Sequence, residues 1–121
     1  MILSNELHQA AQTLGESLRR DDSVQAYLTA QALVEADPNA HDLEQRLLEQ
    51  YDDLIARQQA GEELAQAEVD AFYALRGQTY DHPLIVRREA ALRHVKTAFA
   101  EVGAELSGEL GFDYTALARP A

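Results

Sequence analysis

The stretch Asp81–Gly111, DHPLIVRREAALRHVKTAFAEVGAELSGELG, constrains the fold more than any other part of the chain. Its apolar residues fall at Leu92, Val95, Phe99, Val102, Leu106 and Leu110, in steps of three and four that line one stripe of a helix. Taken as helical from Pro83 to Gly108, the rod is roughly 38 Å long at 1.5 Å per residue. A chain of 121 residues has no need of so long a helix unless another long rod packs along it. Gly103, inside the stripe region, costs about 1 kcal/mol against Ala and permits close approach of another helix.

That length suffices for one domain, residues 1–121, with a modest core. Trp is absent and aromatics are 7%, so the core is built from Leu, Ala and Val, which favour packed helices. There is no Cys, which excludes disulfides, thiol chemistry and thiolate-held iron–sulfur clusters. No apolar run approaches the ~20 residues of a membrane span. The opening MILSNELHQ has no basic segment before its apolar residues, so no signal peptide is read.

The formal net charge is −11, with one Lys, Lys96, against nine Arg. Such a surface is repelled by phosphate backbones and anionic lipid, which argues against direct nucleic-acid binding. A solubilising surface and a salt-rich cytoplasm are both compatible with that balance.

Breakers and caps divide the rest. A first helix runs from Ser4 to Arg20, with Ser4 or Asn5 as cap and a narrow seam of Leu3, Leu7, Ala10, Leu14 and Leu18. Asp21, Asp22 and Ser23 compete for backbone hydrogen bonds and favour a break over one bent helix. Asp22 or Ser23 then caps a second helix that buries Val24, Tyr27, Leu28, Ala30 and Val34. Asp37-Pro38-Asn39 stops it. A third helix, Asn39 to Gln59, carries Leu43, Leu47 or Leu48, Tyr51, and Leu54 or Ile55, and Gly61 either ends it or joins it to the fourth with a kink. A fourth runs from about Glu62 to Gln78. Pro83 suits the first turn of the long helix, capped by His82 or, one residue earlier, by Asp81. Phe112, Tyr114 and Leu117 are placed to fold back on the bundle, and the last residues fray. No strand alternation occurs. The expectation is an all-α chain of about five helices in an antiparallel bundle.

Catalytic patterns are missing. His8, His41, His82 and His94 include no pair at helical metal-site spacing, and no HExxH occurs. The carboxylate pairs Asp21–Asp22, Asp52–Asp53 and Glu62–Glu63 are sequence neighbours, which diverge on a helix and read as solvated charges. No glycine spacing fits a phosphate loop. No cofactor is implied.

Charge is uneven. Residues 1–80 carry five Arg and fifteen acidic residues, whereas 81–121 carry five basic and six acidic residues. Arg87, Arg88, Arg93 and Lys96 concentrate the basic charge in the first turns of the long helix. Two readings follow: pairing with acidic helices of the same chain or a symmetry mate, or a docking patch for an acidic partner.

The order of features carries a resemblance. Leu14-Gly15 precedes DDSVQAYLTAQALVEADP; a long acidic helix and Gly61 follow; His82-Pro83-Leu84-Ile85 opens the last helix, and Glu89-Ala90, Leu92 and Leu110-Gly111-Phe112-Asp113 close the pattern. This resembles the YlbF/YmcA family of small bacterial and archaeal regulators, including YheA-like proteins, along nearly the whole chain. The resemblance implies long antiparallel helices, commonly a homodimer, and no enzymatic activity. It also implies adaptor roles in competence, sporulation and biofilm control, with effects on ribonuclease Y-dependent mRNA processing. Some members are linked to iron–sulfur clusters through cysteines, which this chain lacks.

The expectation is therefore a non-enzymatic cytoplasmic regulator that dimerises and binds a protein partner. The alternative is a helical bundle that binds a small molecule or metal.

Overall fold

A computed structural model describes residues 2–118; residues 119–121, expected to fray, lie outside the described residues. The described chain is all-α. Its elements are α1 (Asn5–Arg20), α2 (Asp22–Ala36), α3 (Pro38–Gln59), α4 (Gln66–Tyr80) and α5 (Pro83–Leu110), followed by a short 3-10 segment, Tyr114–Ala118.

Local chemistry sets most of the boundaries. Ser4 Oγ accepts the Leu7 N–H at 3.2 Å and caps α1. The chain breaks before α2 as expected, but the cap is Asp21, one residue before the expected pair. Its Oδ2 accepts the Ser23 N–H at 3.0 Å and also the Ser23 hydroxyl. These bonds to Ser23 hold the Asp21 carboxyl below its ordinary pKa. Asp37 accepts the Ala40 N–H at 2.8 Å, and Pro38 occupies the first turn of α3.

Helix α3 ends in a Schellman closure. Gly61 adopts φ +83°, its N–H reaches the Gln58 carbonyl at 3.0 Å, and the Glu62 N–H reaches the Arg57 carbonyl at 3.0 Å. That closure engages Glu62, so α4 starts four residues later than expected. Ala65, at its N-cap, offers no side-chain acceptor to mark the start. At its other end α4 continues to Tyr80, two residues beyond the expected Gln78. Of the two possible caps for α5, His82 is the one used: its Nδ1 accepts the Leu84 N–H at 3.2 Å.

The structure divides into two compact units, 1–28 with 90–121 and 29–89. The second unit holds every buried residue among those described except Gly103. Val34, Ala40 and Ile85 form its centre, with Leu84 packed against them, and Ala30, Leu43 and Leu75 are also buried. Fully burying one of its Val, Leu or Ile side chains contributes about 1.5–3 kcal/mol. Thr79, fully buried on α4, satisfies its hydroxyl by donating to the Leu75 carbonyl at 2.7 Å. Leu28, expected in the buried face of α2, is exposed.

In the first unit, α1 buries no residue. Gly103 does allow a close approach, but the approaching element is the 3-10 segment. A Cβ at 103 would lie 3.3 Å from Thr115 Cγ2 and 3.6 Å from the Tyr114 hydroxyl. The fold-back of the tail is thus carried by Tyr114 and Thr115, while Phe112 and Leu117 stay exposed.

Candidate functional site

The four basic residues of α5 have different environments. Arg87 is exposed. Arg88, its neighbour, points elsewhere because successive helical residues diverge by about 100°. It is 8% exposed and forks onto Glu44 of α3, with Nη1 at 2.7 Å from Oε1 and Nη2 on Oε2. Gln31 accepts from Nη1 at 3.3 Å and Glu89 from Nη2 at 3.2 Å. The hydrogen-bonded Glu44 carboxylate raises the Arg88 pKa above its ordinary value, against the opposing effect of burial. Arg88 therefore follows the first of the two sequence readings, pairing within the chain, and is committed to the interior of the second unit. In the first unit, Arg93 and Lys96 sit three residues apart on α5 and are both exposed. Neither they nor Arg87 form an ion pair with the described residues.

Sequence reasoning missed a concavity between two helices. In the second unit, α3 and α4 are the closely packed helix pair. A cleft of about 640 Å³ runs between them, walled by Leu47, Leu48 and Tyr51 from α3 and by Phe72, Tyr73 and Tyr80 from α4. Arg76 and Glu44 supply its charged groups. Phe72 lies between two tyrosines, 6.1 Å from Tyr51 and 5.5 Å from Tyr73 by ring centroids. The Tyr51 period on α3 was visible in sequence; that α4 would set Phe72 against it was not.

The clamp on this helix pair is Arg57. It binds both oxygens of Glu68, with Nη2 at 3.0 Å from Oε1, and adds Glu62 at 3.1 Å and Asp53 at 3.4 Å. Those bonds raise the Arg57 pKa, Glu68 contributing most, and Arg57 in turn lowers that of Glu68.

His82 is also positioned, with Nε2 at 3.4 Å from Asp37 Oδ2, which ties the start of α5 to the cap of α3. Among the described residues, no group of three or more His, Asp or Glu side chains is arranged to hold a metal ion. No helix among them is long and apolar enough to cross a membrane.

The fold and its surfaces define a small all-helical protein with exposed apolar seams and one aromatic cleft. A family profile described as "Control of competence regulator ComK, YlbF/YmcA" matches residues 7–110, and the chain belongs to that family. Neither a curated protein nor a solved structure gives a significant match.

Proposed function

We propose that this chain is a non-enzymatic cytoplasmic regulator that self-associates as a homodimer and acts by binding another protein. Its field is developmental regulation or ribonuclease-dependent mRNA processing. The family supports the regulatory part of this reading.

One observation carries the association. Helix α1 has a regular apolar seam, yet none of its residues is buried; Leu7 is 57% exposed and Leu14 37%. A 16-residue helix is marginal in water by itself, and most helical stability comes from packing an apolar face. The later half of α5 repeats the pattern, with Phe99, Leu106 and Leu110 all exposed on its stripe. Two such faces from two copies supply each other with the missing surface. Arg87, Arg93 and Lys96 remain as exposed cations for an acidic partner, and Arg88 drops out of that patch because Glu44 holds it.

The test is light scattering after size exclusion at micromolar concentration. A mass of twice 13.4 kDa is expected, and a clean monomer overturns the dimer. Charge reversal of Arg87, Arg93 and Lys96 should then weaken capture of the native partner with helicity unchanged; undiminished capture removes the cations from the interface.

A further inference from the structure

We propose that the cleft between α3 and α4 is the docking groove for a short amphipathic helix of a partner protein. That helix presents large apolar side chains and one carboxylate that meets Arg76. The proposal rests on the reading above, that the protein acts by binding another, and names the surface and the chemistry of what binds there.

Large hydrophobic side chains line the cleft without being covered. Leu48, Tyr51, Tyr73 and Tyr80 are each 44–58% exposed. Tyrosine and arginine are the residue types that dominate binding energy at interfaces, because they offer large, stiff, amphipathic contact area. The walls are also preorganised: Arg57 ties α3 to Glu68 of α4, and the Tyr51–Phe72–Tyr73 contacts fix the floor. A partner therefore loses little affinity to ordering this surface.

Charge selects the occupant. Glu44, the carboxylate of the cleft, already has both oxygens on Arg88. Arg76 has no carboxylate among the described residues, and its guanidinium carbon lies 6.0 Å from the Tyr80 ring centroid. The uncompensated charge in the cleft is thus positive, although the chain as a whole carries −11. The docking segment itself brings one carboxylate to Arg76 and is otherwise neutral or basic, so that the net field attracts rather than repels it, and acidic residues elsewhere on the partner are left to Arg87, Arg93 and Lys96.

Length sets the rest. From Glu44 to Tyr51 and from Phe72 to Tyr80, the walls rise about 11–12 Å, or two helical turns. That accommodates anchors at i, i+4 and i+7, the helix-in-groove mode of recognition.

The probe is a fluorescein-labelled, 16-residue alanine-based helix with Phe, Leu and Leu at i, i+4 and i+7. One Glu flanks that face and lysines lie opposite. Binding to the full chain is followed by anisotropy and by amide NMR shifts. Saturable binding is expected, with shifts centred on Leu47, Tyr51, Tyr73 and Tyr80. Arg76→Glu and Tyr73→Ala should each weaken it at least tenfold with circular dichroism unchanged, and a Glu-to-Lys probe should prefer the Arg76→Glu protein. Absence of saturation at millimolar probe, or an affinity in both variants unchanged from that of the unsubstituted chain, overturns the proposal. So do cleft resonances that shift on dilution of the protein alone, which would put a second copy in the groove. Absence of probe binding to the unsubstituted chain, with the dimer mass intact, sinks the groove and leaves the regulatory reading standing.

Discussion

Arg88 and Glu44 stand 44 residues apart and meet as a fork, two guanidinium nitrogens on two carboxylate oxygens. The pair joins the start of α5 to the first turns of α3, beside the core of Val34, Ala40 and Ile85. It also takes away one of the four cations that the sequence set out along α5, so the basic composition of that helix overstates the positive charge on its surface.

Removing Glu44 leaves Arg88 with only Glu89 and Gln31. Glu44→Ala is expected to destabilise the protein by about 1–3 kcal/mol, since Arg88 loses the two-oxygen acceptor and keeps only its single bonds to Glu89 and Gln31 where water reaches it poorly. Replacing both by Met should recover most of that loss, because a well-packed apolar pair dispenses with the desolvation cost. Urea unfolding of the two variants checks both; a double variant no better than the single would mean that Arg88 acts through Gln31 and Glu89 instead.

A different result is expected on α1. Leu7→Asp with Leu14→Asp alters a face that the isolated chain leaves bare, so unfolding of the monomer should change by no more than about 0.5 kcal/mol per site. The doubled mass expected of the proposed dimer should nevertheless disappear. Scattering and unfolding are measured on the same samples, and a dimer that survives both substitutions places its interface elsewhere.

Three glycines give three signs. Gly108 has nothing within 4 Å of an added Cβ and lies inside α5, so Gly108→Ala should stabilise by about 0.5–1 kcal/mol through helix propensity alone. At Gly103 the same gain is opposed by a 3.3 Å contact with Thr115 Cγ2. Gly103→Ala is therefore expected to be near neutral and to shift the 3-10 segment, which NMR cross-peaks between Tyr114 and α5 would report. Gly61→Ala should destabilise by about 1–2 kcal/mol, since φ +83° is a left-handed conformation that L side chains resist. Thermal unfolding ranks the series.

What could be read in the sequence was local. Ser4, Asp37-Pro38, Gly61 and His82-Pro83 each act on the residues beside them, so the order of the five helices followed directly. The start of α4 was misplaced because nothing at Ala65 announces a cap, and the use of Glu62 in the closing turn of α3 depends on geometry rather than on residue type. Beyond local reach, the pattern fell silent. Arg87 and Arg88 look alike in sequence; only the docking of α5 against α3 turns one inward. The aromatic cleft was hidden for the same reason, since Tyr51 and Phe72 come from helices whose register is set by packing and by Arg57.

That register is expected to depend on pH through Glu68. Arg57 holds the Glu68 carboxyl below its ordinary value of 4.5. A group whose pKa is lowered on folding contributes stability that is complete above its unfolded value and is lost as pH falls through the folded one. The α3–α4 pair should therefore hold unchanged from neutrality to near pH 5 and loosen progressively below about 4.5. Glu68→Gln, which cannot ionise, should lower stability at pH 7 and flatten this part of the acid limb. Unfolding free energies at pH 7, 5, 4 and 3 for both proteins make the comparison. Parallel curves would show that the acid sensitivity arises at other carboxylates, and that the hydrogen bonds from Arg57 hold the helix pair whether or not Glu68 is charged.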